Sequence, residues 1–75
     1  MTQSEINQAA QNAKLNCSSF VDCDWDEENK CMVYSFGNAV DAGSFKAQRE
    51  MQDSLNRIEI QICHANLTIM REYRV

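Results

Sequence analysis

The sequence predicts a small α+β domain in which two helices pack on one face of an antiparallel sheet, in the order α-β-β-α-β-β. Apolar residues recur at helical spacing from Ile6 to Ala13. Cys17 to Trp25 and Cys31 to Phe36 alternate instead with a period of two, the period of strands. A chain of 75 residues with no proline and two glycines leaves little room for long irregular linkers. One compact domain spanning 1–75 is expected, near the lower size limit for a self-sufficient core.

The first helix starts at Thr2, because Glu5 three positions on completes a capping box. Ile6, Ala9, Ala10 and Ala13 form its apolar stripe, narrow and rich in alanine, and suited to close packing on something flat. Asn16 is the expected terminator. Residues 17–25 then read as a strand, with Cys17, Ser19, Val21, Cys23 and Trp25 on one face and Ser18, Phe20, Asp22 and Asp24 on the other. Asp26 to Lys30 reads as a turn. Cys31 to Phe36 reads as the returning strand, which makes a hairpin with an acidic tip. Cys17, Cys23 and Cys31 are expected to share its inner face.

Gly37-Asn38 ends the hairpin, and a second helix follows, capped by Asn38, Asp41 or Ser44. Ala47, Met51 and Leu55 mark its expected buried stripe. The last third carries two periods at once. Leu55, Ile58, Ile62, Ala65 and Ile69 would continue a helix. Ile58, Ile60 and Ile62 nevertheless alternate with Glu59 and Gln61, and Leu67, Ile69, Arg71, Tyr73 and Val75 alternate too. β-Branched residues favour strands, so a second hairpin turning at His64-Ala65-Asn66 is preferred. The alternative is α-β-β-α with one long C-terminal helix.

Charge is segregated. The first forty residues hold six acids against two bases and carry the whole net charge of −4, whereas residues 41–75 are balanced. Five carboxylates, Asp22, Asp24, Asp26, Glu27 and Glu28, crowd into seven residues around the only tryptophan, Trp25. Asp22, Asp24 and Asp26 have the spacing that opens an EF-hand calcium loop. The rest of that motif fails, with Glu27 where the glycine belongs and Val33 where the bidentate glutamate belongs. The bland reading is a solvated turn that aids solubility. The sharper reading is a negative patch that docks on a lysine- and arginine-rich surface and imitates nucleic acid, with Trp25 as apolar anchor unless it serves the core.

Four cysteines, Cys17, Cys23, Cys31 and Cys63, are many for this length. With no basic, apolar leader at the N-terminus, reduced thiols in a bacterial cytoplasm are expected rather than disulfides. Together with His64 they offer zinc-type ligands, but no CxxC pair is present, and buried thiols acting as small hydrophobes explain them as well. No base stands placed to activate a nucleophile, so an enzyme is not expected and no cofactor is implied. No apolar run approaches the roughly 18 residues of a membrane span. Direct nucleic-acid binding is disfavoured, since Arg49, Arg57, Arg71 and Arg74 are matched by acids.

Asp53-Ser54-Leu55-Asn56-Arg57-Ile58-Glu59-Ile60 resembles the Asp-Ser-Leu segment of acyl and peptidyl carrier proteins. The resemblance implies that Ser54 opens a helix and carries phosphopantetheine. It covers eight residues, and it departs from that family in having only 21 residues after Ser54, helical residues before Asp53 and cysteine-bearing strands.

The function these features predict is a small acidic protein-binding module. Its partner is a protein with a basic surface, as for an anti-CRISPR-like inhibitor that phages or mobile elements direct against host nucleic-acid-handling machinery. Two other classes compete with it. One is a cysteine-rich structural module stapled by zinc or disulfides. The other is a dimeric, antitoxin-like regulator, a homodimer paired through its final hairpin or helix.

Overall fold

Residues 1–74 are described in the computed structural model, and they run α1 (Gln3–Asn16), β1 (Phe20–Asp26), β2 (Cys31–Phe36), α2 (Ala39–Gln52), β3 (Ile58–Ile62) and β4 (Ile69–Arg74). The α+β order is therefore the predicted one. The four strands form one antiparallel sheet in the order β1-β2-β4-β3. The long-helix alternative is overturned: residues 58–62 and 69–74 pair as a hairpin, with Ile62 opposite Met70 and Ile58 opposite Arg74. The physical reason is the alternation itself, which sends Ile58, Ile60 and Ile62 to one face, where all three join the core. Val75 lies outside the described residues.

Both helices lie on the same face. Ala13 from α1 and Ala42 and Phe45 from α2 have no exposed surface, and they cluster with Cys23, Met32, Tyr34, Phe36, Ile60 and Met70 from the sheet. Phe45 is the hub, with its ring 5.1 Å from Tyr34 and 5.7 Å from Phe36. α1 begins as expected. Thr2 Oγ1 accepts from the Glu5 N–H at 3.2 Å, and Glu5 Oε1 accepts from the Thr2 N–H at 3.2 Å. Its stripe of Ile6, Ala9, Ala10 and Ala13 meets the core as predicted.

Three local expectations are corrected. First, the opening strand begins at Phe20, not at residue 17. Cys17 instead caps α1, its N–H donating to Ala13 O at 2.9 Å. A β-bulge between Phe20 and Asp22 then breaks the alternation. Phe20 turns onto the core side, its ring 6.0 Å from Phe36, while Val21 is 67% exposed. Second, Cys23 and Cys31 do not share a face. Cys23 opposes Tyr34, and Cys31 opposes Asp26, one residue out of phase, so the buried Cys31 thiol sits on the sheet face away from the helices. Third, α2 buries Ala42 and Phe45, whereas Met51 is 79% exposed and Leu55 wholly exposed in the turn that follows. The core phase of α2 runs through Ala42, Phe45 and Arg49, and the third of these is charged.

The join between β2 and α2 is fixed by three residues. The Gly37 N–H donates to Ser19 O at 2.7 Å, and a Cβ on Gly37 would lie 3.2 Å from Ser19 Cβ, so the close approach favours glycine. Asn38 caps α2 by accepting from the Asp41 N–H at 2.8 Å. Asp41 Oδ2 in turn accepts from the Ser19 N–H at 3.1 Å and from its hydroxyl at 2.5 Å. This pins the start of β1 to the first turn of α2.

Candidate functional site

β1 is an edge strand, and it places Asp22, Asp24 and Asp26 on the face the helices leave uncovered. Their α-carbons follow one another at about 7 Å, two residues of strand rise. Glu27 and Glu28 continue the row into the hairpin tip. Across the sheet, Asp24 stands level with Val33, Arg71 and Gln61, and Asp26 with Cys31, Tyr73 and Glu59. The uncovered face is thus acidic along β1 and carries a cation, Arg71, two strands away.

Most of these carboxylates also have a local partner. The Phe36 N–H donates to Thr68 O and the Gly37 N–H to Ser19 O, so odd-numbered residues of β2 turn their N–H groups toward β1. Antiparallel alternation then points the N–H groups of Cys23 and Trp25 out of the free edge. Asp22 Oδ1 accepts the first at 2.8 Å, and Asp24 Oδ1 accepts the second at 2.8 Å. Asp26 organises the tip by accepting from the Glu28 and Asn29 N–H groups at 3.1 Å each and from Asn29 Nδ2 at 2.8 Å. Glu27 pairs with Lys30 and accepts from Trp25 Nε1 at 2.6 Å. The Asn29 contacts hold the Asp26 carboxyl below its usual range, and the Lys30 ammonium does the same for Glu27. Asp26 and Glu27 therefore stay ionised at neutral pH.

Trp25 lies on the opposite face from the three aspartates. It is half-buried against the core and forms part of the floor of a cleft of about 350 Å³ beside α1. Arg49 and Glu72 line the same cleft and were not singled out as a pair by sequence reading. Arg49 Nε donates to Glu72 Oε1 at 2.8 Å, and Arg49 Nη2 donates to Glu72 Oε2 at 2.9 Å and to Asp53 Oδ2 at 2.9 Å. Glu72 is 6% exposed. The signal was present in the sequence. Arg49 falls in phase with Ala42 and Phe45, and Glu72 falls in phase with Met70, so two opposite charges occupy core positions.

The proposed zinc ligands are dispersed. Cys17 caps α1, Cys23 and Cys31 lie on opposite sheet faces, Cys63 adjoins the end of β3, and His64 is exposed in the following turn. Among the described residues, all four cysteines are free thiols, and no group of three or more metal-ligating side chains is gathered. Burial raises the Cys23 thiol to about 12, with Asp22, Asp24 and Glu72 adding to it. Cys63 behaves oppositely: the Asn66 and Ala65 main-chain groups and Arg71 stabilise its thiolate and lower it. Ser54 does not open a helix. It sits in the exposed turn that ends α2 and leads into β3, which removes the placement implied by the carrier-protein resemblance.

No helix among the described residues is long and apolar enough to cross a membrane. Comparison of the chain with family models, with curated proteins and with solved structures gives no match.

Proposed function

We propose that this chain is a protein-binding module that lays its acidic β1 edge and hairpin tip against a basic surface of another protein. The inhibitor reading follows from the same electrostatics. A basic surface of the required kind is typical of a channel that holds nucleic acid, and a row of carboxylates along a strand competes for it by occupancy, without chemistry. The cell in which this would operate is a bacterial host carrying a phage or mobile element. The observation that supports it is the one-sided coverage of the sheet, which leaves Asp22, Asp24 and Asp26 in a line on the open face while the helices take the other.

The test uses a variant that keeps the local hydrogen bonds. Asp22→Asn, Asp24→Asn and Glu28→Gln remove three charges, and the asparagine carbonyls still cap the edge N–H groups. Partners captured from bacterial lysate by the native chain should be nucleic-acid-binding proteins that release as salt rises, and the triple variant should not retain them. Equal capture by both chains, or binding indifferent to salt, would remove the electrostatic mechanism.

A further inference from the structure

The two edges of the sheet are finished differently. At β1 the outward N–H groups are capped by Asp22 and Asp24, and a bulge interrupts the strand. Charged side chains and bulges are the usual protections of an edge. At β3 the ladder parity follows from the Cys63 N–H, which donates to Ile69 O at 3.0 Å. Residues 59, 61 and 63 therefore turn their N–H groups to β4, and Ile58, Ile60 and Ile62 turn theirs outward. The polar side chains of β3 do not turn back to cap them; Gln61 Nε2 donates to Glu59 Oε1 at 3.3 Å. β3 carries neither bulge nor proline.

We infer that β3 pairs antiparallel with β3 of a second copy of this chain, about a two-fold axis through Ile60. The sequence Ile58-Glu59-Ile60-Gln61-Ile62 is complementary to itself in this register. Ile60 meets Ile60 of the second copy, and Ile58 meets Ile62, each pair exchanging main-chain hydrogen bonds through the outward groups. On the uncovered face Glu59 stands opposite Gln61 of the second copy, a carboxylate facing an amide donor at directly opposed positions. Centring the axis on Glu59 would oppose two like charges. A shift by one residue would turn the second copy's isoleucines to the wrong face. Ile58 and Ile62 are only half-buried in one copy, and the pairing covers them with their counterparts. β1 cannot serve in the same way, because two copies would bring their aspartate rows together. The resulting continuous sheet would carry an acidic β1 at each outer edge. This pairing is independent of the proposed function, which concerns β1.

A charge swap at two exposed positions tests the inference without touching the core. Sedimentation of the native chain across a concentration series should show a monomer–dimer equilibrium. Gln61→Glu should weaken it at least tenfold by opposing Glu59. Adding Glu59→Lys to Gln61→Glu should restore it at least to the native level, since lysine then faces glutamate. Amide hydrogen exchange at Ile58, Ile60 and Ile62 should slow as the dimer forms. A chain that remains monomeric up to millimolar concentration would overturn the inference. So would a dimer that ignores both substitutions, or one that leaves those three amides unprotected.

Discussion

Cys23 and Cys63 are the same side chain in opposite surroundings. Cys23 is buried beneath the helices with Asp22, Asp24 and Glu72 nearby, and both burial and charge disfavour its thiolate. Cys63 lies beside the main-chain groups of Asn66 and Ala65 and the Arg71 side chain, which favour the thiolate. Because the thiolate is the nucleophile, iodoacetamide near neutral pH should label Cys63 first and leave Cys17, Cys23 and Cys31 unmodified in the folded chain. Peptide mass spectrometry reads this directly, and labelling of Cys23 at a comparable rate would contradict the assigned environments. The number of cysteines and the absence of CxxC spacing were legible in the sequence; their division into three inert thiols and one activated thiol was not. That division depends on which face each strand residue takes, and the bulge at Val21 and the α1 cap at Cys17 decide it. Neither feature has a local sequence signature. The five carboxylates were legible as a cluster, but the edge-capping roles of Asp22 and Asp24 required knowing that β1 has a free edge.

Whole elements were easier to read where one period dominates. β2 matches its expected bounds because Met32, Tyr34 and Phe36 alternate without interruption, and α1 matches because its cap and stripe agree. The phase of α2 departs from the expected one because Met51 and Leu55 are apolar but lie in the exposed last turn and beyond, while the in-phase position after Phe45 is Arg49. Burial of that arginine is tolerable only because Glu72 on β4 meets it with two hydrogen bonds and Asp53 with a third. The pair ties α2 to the sheet. Arg49→Met should leave the Glu72 carboxylate buried without its counter-ion, a loss of about 3–5 kcal/mol. A domain of this size has a total stability of roughly 4–11 kcal/mol, so the single variant should lose from about a quarter to all of it. Arg49→Met combined with Glu72→Leu replaces the pair by apolar side chains and should recover most of the loss. Urea unfolding of the two variants and the native chain measures this. If Arg49→Met and the double variant were equally unstable, the deficit would come from lost packing of the arginine stem rather than from the orphaned charge.

At the scale of the whole molecule, acid pits two effects against each other. The chain carries a net charge of −4 at pH 7 and an isoelectric point near 4.7, so lowering the pH toward that point relieves repulsion among carboxylates. The folded state, however, holds Glu5, Asp26, Glu27 and Asp53 below their ordinary values. The Thr2 main chain does this for Glu5, the Asn29 side chain for Asp26, the Lys30 ammonium for Glu27, and the Asn56 side chain followed by Arg49 for Asp53. A carboxyl whose folded value is depressed takes up its proton more readily when unfolded. Its contribution is therefore complete above the ordinary values of 4.5 for glutamate and 3.8 for aspartate, and it drains away as the pH falls through the lower folded values. Relief of repulsion acts first, because the net charge shrinks all the way down to the isoelectric point; loss of the hydrogen-bonded carboxylates acts second. The melting temperature should accordingly stay level or rise slightly from pH 7 to about 4.7, then fall steadily toward about pH 2. Asp26 contributes to that fall through the hairpin tip, where its carboxylate collects two main-chain N–H groups and the Asn29 amide. Asp26→Asn keeps an acceptor but has no proton to gain, so it should lower the melting temperature at pH 7 and make the acid limb shallower. Thermal unfolding followed by circular dichroism at stepped pH distinguishes the two effects. A melting temperature that falls continuously from pH 7 would mean that the hydrogen-bonded carboxylates already dominate where they should still be fully ionised, contrary to the hydrogen bonding seen at the tip and along α1.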